Sequence, residues 1–278
     1  MTTTTMITDL VQDIGGDKIH LTGMMNPGVD PHLYKAKPSD IHNLQRAQVI
    51  FYNGLFLEGK IGDVLEKLEG KGKAVYAVTA TMPQARLLEP PEFAGNYDPH
   101  VWFDPTLWEY AIGVVVDGLS QADPSLAKKF AREGARVQKN YRAIHAWAIE
   151  AVSQIPPSAR ILVTSHDAFN YFGLAYGFQV VGVQGISTAT EAGLADMVKM
   201  VDFIEEKGVR AIFVESTVAP AAMESISRDA GVKIGGELYS DAMGIPGTTE
   251  TRHGDTYDLG TYEGMIKHNV YRIVDALK

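Results

Sequence analysis

The sequence contains no cysteine among its 278 residues. This absence excludes disulfide bonds, thiolate nucleophiles and thiolate metal ligands, so that any metal site must use nitrogen and oxygen donors. It does not fix the compartment, because proteins of oxidising compartments can also lack disulfides.

Long apolar runs are also absent. No window approaches 18 consecutive apolar residues, so no bilayer-spanning helix is predicted. The chain opens with Met1 and four threonines, without the basic and apolar segments of a signal peptide. We therefore expect either a cytosolic protein or an extracytoplasmic one whose leader has been removed.

Basic residues are too few to favour a polyanionic partner. The 25 lysines and arginines face 34 acidic residues, which gives a net charge of −9. Such a chain repels phosphate backbones and gains nothing from counterion release, so we expect no nucleic-acid partner. A hydrophobic content of 45% with 21% charged residues is typical of a folded globular protein.

Short β-branched or apolar runs alternate with segments of helical periodicity, which predicts βα units and parallel sheets. The predicted strands are 19–24, 48–53, 74–78, 161–164, 180–183 and 211–214, with a further apolar stretch at 232–234. Helix starts are predicted at Asp104 and Asp123, each followed by proline, and at a capping box of Thr188 with Glu191. Gly208 is the predicted end of the helix after Glu191.

One helical segment is much longer than the others. Residues 125–154 contain no proline, and at 1.5 Å per residue they would form a helix of about 45 Å. We predict an α/β fold of two lobes, each a mostly parallel sheet with flanking helices, joined by this rigid helix. The predicted lobes are 1–124 and 155–278; a long surface helix on a single domain is the alternative.

Metal-ligand side chains follow several predicted strands. Asp30-Pro31-His32 and Asp98-Pro99-His100 repeat one triplet, His166 follows strand 161–164, and Asp241 follows the stretch near 232–234. Ligands bind beyond the carboxyl ends of parallel strands, so these residues are candidates for one shared metal site.

Three imidazoles with one carboxylate suit Zn²⁺, and they suit Mn²⁺ or Fe²⁺ if the carboxylate binds through both oxygens. This donor set would bind Ca²⁺ and Mg²⁺ weakly, because both cations prefer oxygen ligands. No short metal motif such as H-E-x-x-H occurs, so spacing alone leaves open that these are unconnected loop histidines.

Four motifs, taken with the order of elements, resemble those of the cluster A-I, TroA-like, zinc and manganese solute-binding proteins of ABC importers. The motifs are Gly-Val-Asp-Pro-His at 28–32, Asp-Pro-His-Val-Trp-Phe-Asp at 98–104, Thr-Ser-His-Asp-Ala-Phe at 164–169 and Ser-Asp-Ala-Met-Gly at 240–244. The resemblance covers essentially the whole chain.

The resemblance implies one divalent ion, Zn²⁺ or Mn²⁺, bound between two lobes and delivered to a membrane permease powered by an ATPase. Carried over motif by motif, it implies His32 and His100 as ligands from the N-terminal lobe and His166 and Asp241 from the C-terminal lobe. It also implies a non-enzymatic, periplasmic or other extracytoplasmic protein, with or without a lipid anchor, and we expect a monomer.

The residue type at the third ligand position, His166, bears on which metal is bound. Family members devoted to manganese typically have glutamate at the position of His166, so the chain resembles the zinc-binding and dual-metal members. Residues 82–97 contain no histidine-rich acidic insert, which is a departure from many zinc specialists. The physiological metal therefore stays open.

Several further residues bear on function. Asp30, Asp98 and Asp167 adjoin the candidate histidines and are candidate acceptors for their second N–H, and Glu215 is a candidate outer ligand. The stretch 54–60 matches G-x-x-x-x-G-K, but Ile61 follows it and its loop is too apolar for a phosphate site. The polar stretch 248–258, with His253, is predicted to be a mobile loop.

Two alternative functions are weighed against metal transport. A metallohydrolase with a three-histidine, one-aspartate zinc site would need a free coordination position and a general base, for which Glu215 is the candidate. A surface adhesin built on the same fold is compatible with metal binding.

Overall fold

The computed structural model describes residues 1–93 and 95–278. The α-helices are α1 (Thr5–Gly15), α2 (Pro38–Arg46), α3 (Gly62–Glu69), α4 (Pro105–Ala122), α5 (Ala127–Val152), α6 (Asn170–Tyr176), α7 (Leu194–Lys207), α8 (Ala221–Asp229) and α9 (Tyr262–Leu277). The strands are β1 (Val49–Tyr52), β2 (Ala74–Ala77), β3 (Ile161–His166), β4 (Gln179–Gln184), β5 (Ala211–Glu215), β6 (Lys233–Leu238), β7 (Thr249–Arg252) and β8 (Asp255–Asp258).

Parallel sheets dominate, as the alternating pattern predicted. β1 pairs with β2, and the larger sheet has the order β4-β3-β5-β6 with every pair parallel. The carboxyl ends of β3, β5 and β6 therefore lie at one edge. His166 and Glu215 are the last residues of β3 and β5, and Asp241 follows β6 by three residues.

The predicted strand at 19–24 is wrong as a strand. Gly23 forms only an isolated parallel bridge with Thr2, and Thr2 also bridges Phe51 of β1. The backbone of Thr2 donates to Thr22 and accepts from Met24, so the 19–24 segment pairs over too short a length to make a ladder. It still leads into the loop that carries His32.

The long helix is confirmed as α5, whose 26 residues extend about 39 Å. One apolar face of the helix is buried, and it includes Phe130, Val137, Tyr141 and Ile144. A Cβ at Gly134 would lie 2.7 Å from the Val116 side chain of α4, so only glycine allows this close approach. A single core cluster joins α1, α4, α5 and α9, and smaller clusters lie on the far side of each parallel sheet.

Helix boundaries agree with most of the sequence signals. Asp104 caps α4 through Thr106 N at 2.9 Å, and Gly208 ends α7 with a φ of 61°. The capping box of Thr188 with Glu191 is wrong: α7 begins at Leu194, and the Thr188 hydroxyl is instead hydrogen-bonded to Asp30.

The predicted mobile loop at 248–258 is instead the antiparallel β7–β8 hairpin. His253 and Gly254 form its two-residue turn with φ angles of 51° and 82°. Glu250 fixes the hairpin to α9 by accepting from His268 and Arg272 at 2.7 Å and 3.0 Å. These α9 partners are remote in sequence, so the local composition could not reveal them.

Over the described part of the chain, none of the helices combines the length and hydrophobicity that crossing a bilayer requires.

Candidate metal centre

The fold brings together the four residues nominated from the sequence. One donor atom from each of His32, His100, His166 and Asp241 lies within 4.8 Å of all the others. The Nε2 atoms of His32 and His100 are 3.3 Å apart, and Asp241 Oδ1 lies 3.3 Å from His100 Nε2. Asp241 Oδ2 lies 3.2 Å from His166 Nε2. The four side chains thus face one small volume.

All four residues are buried, with exposures of 5% for His32, 0% for His100 and His166, and 1% for Asp241. Within residues 1–93 and 95–278, His166 Nε2 and both Asp241 oxygens have no hydrogen-bond partner of good geometry. Buried polar atoms without partners are costly, and a bound cation would satisfy all three. The donor set therefore fits a divalent transition metal.

Each N-terminal histidine is oriented by the aspartate two residues before it. Asp98 Oδ1 accepts from the backbone N–H of His100 at 3.0 Å and from its ring Nδ1 at 2.7 Å. Asp30 Oδ1 accepts the backbone N–H of His32 at 2.8 Å, and this backbone contact is its hydrogen bond to that residue. The predicted ring contact is confirmed for Asp98, whereas Asp30 holds the loop instead.

Glu215, not the adjacent Asp167, orients His166. Its Oε1 accepts the backbone N–H of His166 at 2.9 Å, and its Oε2 lies 2.5 Å from the ring Nδ1. Asp167 Oδ1 accepts from Gly182 N at 2.6 Å, on the neighbouring strand. Glu215 therefore leaves Nε2 of His166 facing the other donors, which is the usual arrangement behind a metal-bound histidine.

The electrostatics of the cluster follow from burial and close charges. Burial lowers the pKa of His32 to about 3. Burial opposes protonation of His100 as well, but Asp98 and Asp241 outweigh it and raise the pKa of His100 to about 9. Glu215 and Asp241 likewise overcome burial and hold the pKa of His166 well above its usual range. Without a metal, the neighbouring carboxylates thus favour the protonated forms of His100 and His166.

The Asp241 carboxylate is the counterpart of these two imidazoles. Burial alone would raise the pKa of Asp241, but His166 and His100 hold it well below its usual range. An ionised, buried carboxylate beside three ring nitrogens is an attractive position for a divalent cation, which would displace the two protons.

The other histidines lie outside this cluster. His268 is hydrogen-bonded to Glu250 and to the Glu237 carbonyl, His145 lies 3.3 Å from the Tyr176 hydroxyl, and His253 pairs with Asp275. No second group of three or more such ligand residues occurs within the described ranges.

The G-x-x-x-x-G-K stretch holds a carboxylate in place of a phosphate. Glu58, which is buried, accepts the backbone N–H groups of Asn53 and Gly54 at 2.7 Å and 3.1 Å. It also accepts from the Thr3 hydroxyl at 2.7 Å. A phosphate site would need these N–H groups to be free, so the structure supports the sequence-based rejection of nucleotide binding.

Comparison with known proteins shows sequence similarity along essentially the whole chain. The chain is 42% identical over 281 residues to the manganese-binding lipoprotein MntA of Bacillus subtilis (strain 168), covering 99% of this chain and 88% of that protein. It is 42% identical over 282 residues to the zinc-binding protein TroA of Treponema pallidum (strain Nichols), covering 100% and 88%.

The solved structure of the periplasmic zinc-binding protein TroA from Treponema pallidum superimposes with a TM-score of 0.93 at 42% identity, covering 99% of this chain and 97% of that one. The family model described as "ZnuA: Zinc-uptake complex component A periplasmic" matches residues 1–276. A match of this extent, with the two parallel sheets and the four converging side chains, shows that the chain belongs to this family of zinc-uptake components.

Proposed function

We propose that this protein binds one Zn²⁺ or Mn²⁺ through His32, His100, His166 and Asp241. It then delivers the ion, outside the cytoplasm, to an ABC permease driven by its ATPase. The observation that carries the proposal is the convergence of four buried donor atoms within 4.8 Å of one another. The names of the MntA and TroA relatives support the solute class.

The donor set suits both metals. Three imidazole nitrogens and one carboxylate oxygen complete the tetrahedral shell that Zn²⁺ prefers. The two Asp241 oxygens lie near different histidines, at 3.3 Å from His100 Nε2 and 3.2 Å from His166 Nε2, so bidentate binding could add the further ligand that Mn²⁺ favours. Two relatives at 42% identity carry different metals in their names, so identity does not decide between them.

The proposed division of the chain is two lobes, 1–124 and 155–278, joined by a linking segment of 125–154 that contains α5. Each lobe then contributes two ligands and has its own parallel sheet. Metal binding would tie the lobes together at a point remote from the linking helix.

Transport accounts for the site better than hydrolysis does. A hydrolytic zinc site needs an open coordination position and a free general base. Glu215, the candidate base, has both oxygens hydrogen-bonded to His166. We therefore propose that the protein is not an enzyme. We also propose that it acts as a monomer and, given its net charge of −9, that it does not bind nucleic acid.

Thermal unfolding of chelator-treated protein tests the proposal. A ligand that binds only the folded state adds about 2.7 kcal/mol at 100 times its Kd. For a chain of this length, Zn²⁺ and Mn²⁺ should each raise the Tm by about 5 °C or more. Mg²⁺ serves as the control cation and should leave the Tm unchanged; no shift with either transition metal would refute the proposed function.

The contact between Glu215 and His166 gives a second prediction. Glu215→Gln keeps the shape but removes the charge behind the His166 ring, so Zn²⁺ affinity should fall about 10- to 100-fold in a chelator competition. Glu224→Gln, on the exposed side of α8, is the matched control and should bind as the wild type does. Equal affinities for the two variants would show that Glu215 does not tune the site.

A further inference from the structure

The two Asp-Pro-His triplets share one hydrogen-bonding arrangement. In each, one aspartate oxygen accepts the backbone N–H of the histidine two residues later, at 2.8 Å for Asp30 with His32 and 3.0 Å for Asp98 with His100. The aspartate thereby fixes the short loop that presents the histidine. A change in the position of the aspartate would therefore also change the position of that loop.

The second oxygen of each aspartate is bonded to the other half of the chain. Thr188 Oγ1, in the loop between β4 and α7, donates to Asp30 Oδ2 at 2.6 Å. Asn170 Nδ2, at the first residue of α6, donates to Asp98 Oδ2 at 3.1 Å. These partners are 158 and 72 residues apart in sequence.

We propose that Thr188 and Asn170 are positioning residues that hold the two N-terminal histidines in place from the opposite lobe. The inference rests on the proposed function. Each residue lies in the proposed C-terminal lobe, and neither is in the four-residue ligand cluster. Through Asp30 and Asp98, they make ion retention depend on the contact between the lobes.

The arrangement links lobe contact to metal release. If the lobes move apart, both hydrogen bonds break, and the loops of His32 and His100 lose one of their constraints at the same moment. The carboxylate acceptors are charged, and such bonds are among the stronger ones in proteins. Thr188 is buried at 7% exposure, so water competes little with its bond. We expect each bond to slow dissociation about tenfold.

Dissociation kinetics test the inference in the full-length protein. Zn²⁺-loaded wild type, Thr188→Val, Asn170→Leu and the double variant are mixed with excess chelator, and koff is measured by stopped flow. Each single variant should release Zn²⁺ about tenfold faster, and the double variant about a hundredfold faster, with kon within twofold of wild type. Thr188→Ser keeps the hydroxyl and should release at the wild-type rate.

The controls separate this role from general destabilisation. Thr251→Val and Asn43→Leu make the same chemical changes at exposed positions on β7 and α2 and should not alter koff. The inference is overturned if the double variant matches the wild-type koff, or if Thr188→Ser releases as fast as Thr188→Val. Should Asn170→Leu fail to fold by circular dichroism, the valine and serine variants of Thr188 decide the matter.

Failure of the proposed function would look different. A wild-type protein that binds no Zn²⁺ overturns metal capture, and the positioning role with it. A wild-type protein that binds Zn²⁺ but loses it at the same rate as every variant overturns only the role of Thr188 and Asn170.

Discussion

Asp241→Asn should reduce Zn²⁺ affinity between a hundredfold and several thousandfold. Asp241 is the only carboxylate in the four-residue cluster, and its two oxygens face His100 and His166 from within 3.3 Å. Removing one partner from a buried charge pair costs about 3–5 kcal/mol, which corresponds to this range of affinity. Asparagine preserves the volume, so the loss reports charge and coordination more than packing.

Asp9→Asn is the matched control for this substitution. Asp9 is a partly buried carboxylate that accepts from the Tyr262 backbone on α9 and is not in the cluster. Competition with a chelator of known affinity should give wild-type Kd for Asp9→Asn. A Kd for Asp241→Asn within a few fold of wild type would remove Asp241 from the ligand set.

Metal affinity should also depend steeply on pH. This dependence should extend to pH values well above those at which ordinary histidines titrate. Neighbouring carboxylates favour protonation of the metal-free site: the pKa of His100 is raised to about 9, and the pKa of His166 lies well above its usual range. Binding releases both protons, so acid stabilises the free protein relative to the complex. Between pH 6 and 8 the association constant should fall about a hundredfold per unit of acidification.

The decisive interval is pH 7.5 to 8.5. Histidines with a pKa near 6.5 would already be neutral there, and the association constant would be flat. Competition titrations corrected for chelator protonation should instead show a slope of log K on pH near 2. In Asp98→Asn the pKa of His100 should fall because its charged neighbour is gone, which reduces the slope towards 1. A flat wild-type profile would contradict the raised pKa values.

The sequence predicted much of the site because its signals are local. The Asp-Pro-His triplets and the residues at or just beyond the ends of β3 and β6 mark where ligands can lie, and resemblance to a known family selected four of them. The long α5 helix and the parallel strands were also predictable, since periodicity and proline placement act within a few residues.

Long-range partners were not predictable. Thr188 looked like a helix cap because Glu191 lies three residues later, yet its hydroxyl is bonded to Asp30 in the other half of the chain. Asp167 adjoins His166 but accepts from Gly182, and Glu215 takes the place beside the His166 ring. Asn170 gave no signal at all. Each of these contacts depends on the packing of separate strands and loops, which spacing along one chain does not encode.

The shared interior around α5 bears on how the molecule unfolds. Its core cluster includes Met6 of α1, Trp108 of α4, Tyr141 of α5 and Ile266 of α9, all almost fully hidden from water. Each square ångström of apolar surface removed from water contributes about 25 cal/mol, so separating these helices would be costly. The two proposed lobes therefore form one cooperative folding unit, and a fragment carrying either lobe alone would expose part of its interior. Exchange of the metal ion would then involve small movements of the lobes and loops at the site, while the helical centre of the protein stays intact.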